Sequence, residues 1–375
     1  MKARVLKIGC LAFASILFTI LAFSFSRVQI TPLMNNRGRT YEKAEVVKLN
    51  APTKGYVRAR VISGKHRGQT LSARSVDSYL YGAKCKVGMK VILIVTASST
   101  NIEASVYSEN RAPALYAMIA LFIGIVLVIC GKKGLISIIA LLFTLLSIIF
   151  IFLPMIYVGV SPILASILIV AMTTFVTMIL IDGVSAKSLS AIVGTILGVI
   201  MAALYALLFS LVTHISGYNV SDIENLIYVG EMTHIQIGQL LFAGILIAAL
   251  GAVMDVGMSI ASFLDELKHK SPEITQKELF KSGMHVGKDM MGTMTNTLIL
   301  AFVGGSINTL IFMYAYHYPY LQLINMYSLG IEIMQGLSSS LGVILAVPAT
   351  SFVTSVLLTF KKQGLPDLQN NASNK

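Results

Sequence analysis

Eight apolar runs divide this chain of 375 residues, and each is about long enough to cross a lipid bilayer as a helix. At about 1.5 Å per residue, roughly 20 apolar residues span the ~30 Å hydrocarbon layer, with a lower limit near 17. Lipid offers no hydrogen-bond partners to open backbone groups, so the runs are expected to be helical. Only 12% of the residues are charged, against about a quarter in water-soluble proteins. The runs lie at about 8–25, 114–130, 135–157, 162–181, 189–213, 238–260, 290–314 and 335–359.

The first run follows a basic start, which leaves two interpretations of the N-terminus. Lys2, Arg4 and Lys7 precede the apolar stretch, as in a secretory signal peptide. The stretch is long for such a signal, and Ser24-Phe25-Ser26 is a poor cleavage site. We therefore predict an uncleaved transmembrane anchor over residues 1–26.

The positions of the basic residues predict which side of the membrane each loop faces. Of the 29 lysines and arginines, fifteen lie within 27–113, and the other fourteen fall on one side of the eight-span arrangement. The short loops on the opposite side, near 158–161, 214–237 and 315–334, contain none. Short basic loops stay in the cytoplasm, whereas loops longer than about 60 residues are translocated largely regardless of charge. Both termini, including the tail at 361–375, are therefore predicted to be cytoplasmic.

Residues 27–113 have the pattern of a small extracytoplasmic β domain. Five stretches alternate apolar and polar residues or are rich in valine and isoleucine, and glycines separate them. Five short strands in so small a domain are typical of a closed or half-closed barrel, either OB-like or SH3-like. The predicted strands are 42–49, 56–63, 69–76, 90–95 and 102–108.

This outer domain carries nearly all of the net charge of the chain. Its fifteen bases and five acids give a formal charge near +10, out of +12 for the whole protein. One interpretation is a basic surface that serves solubility alone. The other is a contact surface for anionic lipid headgroups or an anionic envelope polymer. No aromatic and basic motif accompanies the charge, so no nucleic acid partner is expected.

A few polar side chains within the predicted seven-helix bundle at 114–360 are candidates for a solute, ion or proton pathway. In the sixth run, small and polar residues recur at spacings of three and four around Asp255, so they share one helix face. Such a face allows close helix packing, and its acid is expected to point into the bundle. The seventh run has a similar polar face, and Gly304-Gly305 loosens that helix further out. The candidates are Asp255, Ser259, Asp289, Thr293, Asn296 and Glu332.

The same residues also have structural interpretations. Asp255 could be a buried acid bonded to a neighbouring serine or to the backbone, and Asn296 could stabilise helix packing without binding a solute. Asp182, at the end of the fourth run, is predicted to be an interfacial residue. Function therefore cannot be assigned to these positions from their residue types alone.

The cytoplasmic loop at 261–289 is predicted to contain a short amphipathic helix. The loop mixes acids and lysines. Ser271-Pro272-Glu273 is typical of a helix start, with proline at the first helical position and acids in the first turn. We expect this helix to lead into the seventh run.

The residue patterns of known enzyme classes are absent from the sequence. It contains no HExxH, no glycine-rich phosphate loop, no Gly-x-Ser-x-Gly elbow and no cysteine cluster. Its three cysteines, Cys10, Cys85 and Cys130, are too few for a disulfide scaffold. We therefore expect no enzyme activity, no catalytic residues, no bound metal and no cofactor.

Several blocks of the sequence carry a resemblance to a known family. The strongest is KSGMHVGKDMMGTMTNTLILAF at 281–302, followed by GAVMDVGMSIAS at 251–262. Shorter blocks lie at 60–65, 68–69, 86–88 and 191–195. In these blocks the chain resembles the YibE/F-like multi-pass membrane proteins of bacteria, over about 35–360. The resemblance implies a protein of the bacterial plasma membrane, often with a shorter paralogous membrane protein as its partner, and it implies no substrate.

Two functions are consistent with these features. The first is a permease or channel-like transporter of unknown substrate, with Asp255, Asp289 and Asn296 in a shared site. The second is a non-transporting membrane scaffold or envelope-associated factor that acts through its basic outer domain. Membrane lipid is the expected surrounding in both cases.

Overall fold

The computed structural model divides the chain into two compact units, which are described separately. One unit comprises Thr31–Gly131, and the other comprises Met1–Ile30 together with Lys132–Lys375. The predicted first span and the predicted C-terminal tail lie largely outside the described residues. The structure describes residues 9, 18–21, 23–24, 38–49, 55–76, 82–97 and 102–364, with side chains up to residue 359.

The first unit contains a closed barrel of five strands, which confirms the predicted barrel. The strands are β1 (Arg39–Leu49), β2 (Tyr56–Val61), β3 (Thr70–Arg74), β4 (Lys90–Ala97) and β5 (Ile102–Glu109). Their order is β1-β2-β3-β5-β4, and pairing of β4 with β1 closes the barrel. β3 is parallel to β5, whereas the other pairs are antiparallel. This order is the OB-like one of the two predicted alternatives.

Side chains alternate along each strand between the barrel interior and its surface. In β1 the buried positions are two residues apart, and a register shift between Val46 and Lys48 marks an irregularity in its pairing with β2. The interior is filled by small and branched apolar side chains, which suits a barrel of only five strands. They include Ala44, Val57, Ala59, Leu93 and Val106.

One carboxylate, that of Glu42, is buried within the barrel and is only 1% exposed. It accepts hydrogen bonds from Thr40 Oγ1 at 2.9 Å and from the backbone N–H of His66 at 3.2 Å, and it contacts His66 Nδ1 at 2.9 Å. Burial raises the pKa of Glu42, but the bonds from His66 and Thr40 outweigh it and hold the pKa below its ordinary value of 4.5. At Gly64, where φ is 109°, a Cβ would lie 2.6 Å from the Glu42 side chain. Glu42 therefore fixes the turn between β2 and β3.

Replacing Glu42 with glutamine should loosen this turn. A glutamine NH2 group would face hydrogen-bond donors, and each charge-assisted bond that is lost costs about 1.5–3 kcal/mol. Hydrogen–deuterium exchange of the full chain at neutral pH should therefore accelerate about tenfold to a hundredfold at residues 62–69. Glu45→Gln, at an exposed position of the same strand, is the matched control and should leave exchange there unchanged.

The same interaction predicts a pH dependence of the wild-type turn. The folded-state pKa of Glu42 is depressed, so its stabilisation is present above about pH 4.5 and is lost as the pH falls through the folded-state pKa. After correction for the intrinsic exchange rate, protection of residues 62–69 should fall on acidification in the wild type but not in Glu42→Gln. An equal loss of protection in both proteins would contradict this assignment.

The rest of the described chain is helical. A π-helical turn, Ile148–Phe152, joins the first helix to the second, and short 3₁₀ turns lie at Gly217–Asn219 and Ile237–Gln239. The helices are α1 (Ala112–Ser147), α2 (Leu153–Tyr157), α3 (Pro162–Asp182), α4 (Ala186–Thr213), α5 (Ile223–Met232), α6 (Leu240–Lys270), α7 (Gln276–Gly305), α8 (Ile307–Ala315), α9 (Tyr320–Ile324) and α10 (Tyr327–Gly364).

The number of long apolar helices is lower than the eight predicted spans. In the described part of the chain, five stretches are long and apolar enough to cross a membrane, and the bent pair α7–α8 would be a sixth. The predicted spans at 114–130 and 135–157 belong to one stretch of 46 residues, Ala112–Tyr157. The loop predicted between them is helical except at Gly131, whose φ of 55° and ψ of −131° break the helix. Lysine is a good helix former, so a second helical segment begins directly after Gly131.

The centre of the helical unit is formed by α4, α6 and α10, which approach closely at glycines. A Cβ at Gly198 of α4 would lie 2.7 Å from Val253 Cγ1 of α6 and 2.8 Å from the carbonyl oxygen of Gly342 in α10. Such crossings are typical of helices that pack through small residues. Buried side chains of the three helices, including Val199, Leu246 and Val343, complete the apolar core.

α7 begins at Gln276 and not at the predicted Ser271-Pro272-Glu273 start. Thr275 Oγ1 accepts a hydrogen bond from the backbone N–H of Glu278 at 3.3 Å, and Glu278 Oε2 accepts one from the N–H of Thr275 at 2.9 Å. This reciprocal capping box provides acceptors for two backbone N–H groups at the start of the helix, whereas a proline in the first turn provides none. The predicted short helix is thus the first part of α7, which continues to Gly305.

Candidate functional site

The face of α6 that carries Asp255 lies on the exposed side of the helix. Gly251, Asp255 and Ser259 are exposed, whereas Val256 and Ile260 are fully buried. A Cβ at Gly251 would meet no atom within 4 Å. The prediction that this face points into the bundle is therefore wrong. The branched apolar side of α6 packs against α4 and α10 instead, because it buries more apolar surface than the small residues would.

The polar face of α7 is exposed as well. α7 packs through Gly283, where a Cβ would lie 2.7 Å from Ser351 Oγ of α10. Asp289, Thr293 and Asn296 lie on the exposed side, and Thr293 Oγ1 donates to the carbonyl oxygen of Met290 at 3.1 Å. Among the described residues, no hydrogen bond or ion pair links these side chains to α6. The two predicted faces are thus exposed surfaces and do not enclose a site.

Glu332 lines a cavity of about 200 Å³ between the α7–α8 pair and the beginning of α10. Apolar side chains such as Phe302, Leu310 and Met313 form most of its wall. This volume is below the range of about 300–1,000 Å³ typical of drug-sized ligands, so the cavity suits an ion or a small solute. Among the described residues, no lysine, arginine or histidine lines the cavity, and its polar lining residues are Ser306, Thr309, Ser328 and Glu332.

A break between two helices lies at this cavity. α7 ends at Gly305, α8 begins at Ile307, and their axes differ by 63°. Ser306, between them, is 9% exposed, and its hydroxyl has no hydrogen-bond partner in the described part of the chain. A break leaves carbonyl groups at the end of one helix and N–H groups at the start of the next without helical partners. Such half-helix ends commonly build the ion and solute sites of transporters.

Sequence reasoning identified Glu332 but missed the side chains that share its cavity, Ser306, Thr309 and Ser328. The available signal was Gly304-Gly305, which marks a weak point in the helix. The direction of the bend is not encoded in a glycine pair. Only the 63° change of axis brings Ser306 to the same cavity as Glu332.

Hydroxyl groups without partners are also present in the core of the helical unit. A Cβ at Gly257 would lie 3.0 Å from Thr195 Oγ1 and 3.5 Å from Thr350 Oγ1, so these two buried hydroxyls lie beside the same glycine. Neither hydroxyl has a hydrogen-bond partner among the described residues. Buried hydroxyls more often bond to a carbonyl one turn earlier, as Thr354 Oγ1 does with Thr350 O at 2.7 Å. The core is therefore less uniformly apolar than its sequence pattern indicates.

The remaining charged groups do not form a competing site in the described ranges. No group of three or more histidines, cysteines, aspartates or glutamates is placed there to hold a metal ion. Asp182, predicted to be interfacial, is paired with Lys187 Nζ at 2.7 Å. Among the described residues, the Glu332 cavity thus combines a charged group, a helix break and a partly open volume of about 200 Å³.

The helical part of the chain matches a known protein family. A family model described as YibE/F-like protein matches residues 118–360, well over half of the chain. The chain belongs to the YibE/F-like family. The match confirms the resemblance seen in the blocks at 251–262 and 281–302, and it includes all six predicted pathway residues. The barrel of this YibE/F-like protein precedes the matched region, and no curated protein or solved structure matches the chain.

Proposed function

We propose that this YibE/F-like protein crosses the bacterial plasma membrane eight times. Apolar side chains are exposed along its helices, with Val128 86% and Leu211 73% exposed. In water such a surface would drive association, whereas lipid tails solvate it. The 46-residue stretch Ala112–Tyr157 would be about 69 Å long as a straight helix, more than twice the ~30 Å hydrocarbon layer. A reversal at Gly131 would make it two spans.

The proposed topology has both termini in the cytoplasm and the barrel outside. The four stretches Pro162–Asp182, Ala186–Thr213, Ile237–Lys270 and Tyr327–Thr359 supply one crossing each. The predicted first span at 8–25, two spans within Ala112–Tyr157 and one in the bent α7–α8 pair bring the total to eight. The charge pattern supports this orientation, because every lysine and arginine outside 27–113 then lies on the cytoplasmic side. The acids of the loop at 214–237 lie on the outer side with no base beside them.

We further propose that the protein is a permease or channel-like transporter whose pathway passes the Glu332 cavity. The observation that carries this proposal is the 63° break at Ser306 beside a partly open cavity lined by Glu332. Glu332 precedes the predicted span at 335–359 but lies near the beginning of the apolar stretch Tyr327–Thr359, and an ionisable side chain at membrane depth usually marks an ion or substrate path. Broken helices are stable in lipid only where they are buried in protein or line a cavity.

The chemistry of the cavity favours a cationic group on the solute. Glu332 has no ion-pair partner among the described residues, and no base lines the cavity. A carboxylate in a medium of low dielectric attracts a cation strongly. The solute must therefore be small and positively charged. An inorganic monovalent cation meets this requirement, and so does a small organic ammonium ion, whose short alkyl groups would contact the apolar wall.

Cysteine modification at the helix break tests this proposal. Proteoliposomes that contain a variant with Cys10, Cys85 and Cys130 replaced by alanine should move K⁺ or choline down an imposed gradient. In that background, Ser306→Cys should retain flux and lose it after treatment with a methanethiosulfonate reagent, because the adduct fills the cavity. Ser137→Cys, at an exposed position of α1, is the matched control. Absence of flux for both cations, or full flux after modification of Cys at 306, would overturn the proposal.

A non-transporting scaffold remains the second candidate, favoured by the concentration of bases in the barrel unit. In that case the intact chain conducts neither cation. Deletion of residues 35–108 separates the two functions, because a transporter should keep basal flux without the barrel, whereas a scaffold should lose its partner binding.

A further inference from the structure

The exterior of the barrel has two sides that differ in charge. Six bases lie at exposed positions of β1, β2 and β3, where the one exposed acid is Glu45. The strands β4 and β5 carry Lys90 against the exposed acids Glu103 and Glu109. A surface that served solubility alone would not need its bases on one side. The six bases are Arg39, Lys43, Lys48, Arg58, Arg60 and Arg74.

Strand register brings four of these bases into a compact group, here called the basic face: Lys48, Arg58, Arg60 and Arg74. Arg58 of β2 lies directly opposite Lys48 of β1. Arg58 and Arg60 are two residues apart, which is about 6.6 Å along a strand. Like charges directly opposite each other destabilise a sheet. The pair is therefore unfavourable for folding unless an anion neutralises it.

The basic face is not neutralised by the protein itself. Glu45 lies opposite Arg60 in the register, but within the described ranges none of the four bases forms an ion pair. Thr70 lies opposite Arg60, and Ser72 lies opposite Arg58. Arginine and hydroxyl groups together are the usual donors to phosphate oxygens.

The turn that continues β2 into β3 adds two exposed bases, Lys65 and Arg67. Between them, His66 is held by the buried carboxylate of Glu42 through its backbone N–H and its ring. Because this turn is held in one conformation, its backbone loses little conformational entropy when Lys65 and Arg67 bind a partner.

We propose that the basic face binds an extended polyanion that carries phosphate groups at regular intervals, such as a phosphodiester polymer of the envelope. The two-residue repeat of Arg58 and Arg60 matches a linear array of charges better than a single anion. Proteins that dock on lipid insert apolar side chains. Val47 and Leu49 flank Lys48 on β1, Tyr56 begins β2, and all three are exposed, so vesicles of anionic lipid are the necessary comparison in the test.

Binding of linear inorganic polyphosphate tests this proposal on the full chain in zwitterionic nanodiscs. The wild type should bind with a steep salt dependence. The triple variant Arg58→Gln, Arg60→Gln and Arg74→Gln should weaken binding at least about tenfold and reduce the log–log salt slope by about two, near 0.7 per cation. The matched control is Lys84→Gln, Lys86→Gln and Lys90→Gln, which removes the same charge from other exposed positions of the unit. It should lose less than about threefold.

Three outcomes would overturn the proposal. The first is no binding of polyphosphate by the wild type. The second is an equal loss of binding in both triple variants, which would mean that net charge alone attracts the polymer. The third is tighter binding to phosphatidylglycerol vesicles than to polyphosphate, with the same dependence on the basic face, which would assign the surface to lipid. Because all six substituted positions are exposed, unchanged circular dichroism is expected for each variant.

Discussion

Replacing Gly198 with valine should prevent the helical unit from folding stably. A Cβ at this position would lie 2.7 Å from Val253 Cγ1, 2.8 Å from Ala346 Cβ and 2.8 Å from the carbonyl oxygen of Gly342. The contact with a backbone atom cannot be relieved by a side-chain rotation, so α4 and α10 must separate. Overpacking of a core costs about 1–3 kcal/mol for alanine-sized additions and more for larger ones. Gly198→Ala should therefore lower the unfolding temperature in detergent by about 5–10 °C, and Gly198→Val should yield no monodisperse protein.

The control for this prediction is a glycine of α6 that faces no other described part of the chain. At Gly244 a Cβ would meet no atom within 4 Å. Gly244→Ala should keep or slightly raise the unfolding temperature, because alanine is the better helix former by about 1 kcal/mol. Equal tolerance of alanine at positions 198 and 244 would contradict the close crossing of α4, α6 and α10.

Replacing Glu332 with glutamine should abolish cation flux and leave the fold intact. The substitution keeps the size of the side chain and removes the one charge that lines the cavity. An attraction of about 4 kcal/mol between unit charges at 4 Å in a partly polar medium corresponds to a loss of at least about a hundredfold in occupancy. Flux into proteoliposomes and the unfolding temperature of the same preparation separate a transport defect from a folding defect.

Two sets of variants make the Glu332 prediction specific. Glu231→Gln removes the same charge from an exposed position of α5 and should leave flux unchanged. Asp255→Asn and Asp289→Asn should also retain flux, because both side chains are exposed and neither lines the cavity. Loss of flux in Asp255→Asn with full flux in Glu332→Gln would move the pathway to the outer faces of α6 and α7.

The barrel shows which features of this chain are local and which are not. The strands were predictable to within a few residues, because apolar and polar residues alternate along each of them in the sequence. Glu42 was counted only as one of the five acids of the outer domain, yet its side chain is buried and holds the turn at His66. Glu42 occupies one of the alternating positions of β1 that face the barrel interior. Acids are rarely buried, so alternation alone did not predict that this side chain would be.

The same division separates the start of α7 from the pairing of β1 with β2. Thr275 and Glu278 form a capping box that was readable in the sequence, and it sets the start of α7 more accurately than the proline did. The pairing of Arg58 with Lys48, in contrast, depends on the register of two strands and on the shift near Val46. No count of charges along the chain distinguishes that register from its neighbours.

Hydropathy and the alternation of side chains were sufficient to identify the long apolar stretches and the five-strand barrel, because both depend on local residue patterns, and the residue blocks at 251–262 and 281–302 identified the family. They were not sufficient to orient the helices about their axes. The small and polar side of α6 was expected inside and lies outside, since packing of Val256 and Ile260 against other helices buries more apolar surface. The direction of the bend at Ser306 is likewise not encoded in the Gly304-Gly305 pair, and the bend joins residues from α7, α8 and α10 around Glu332.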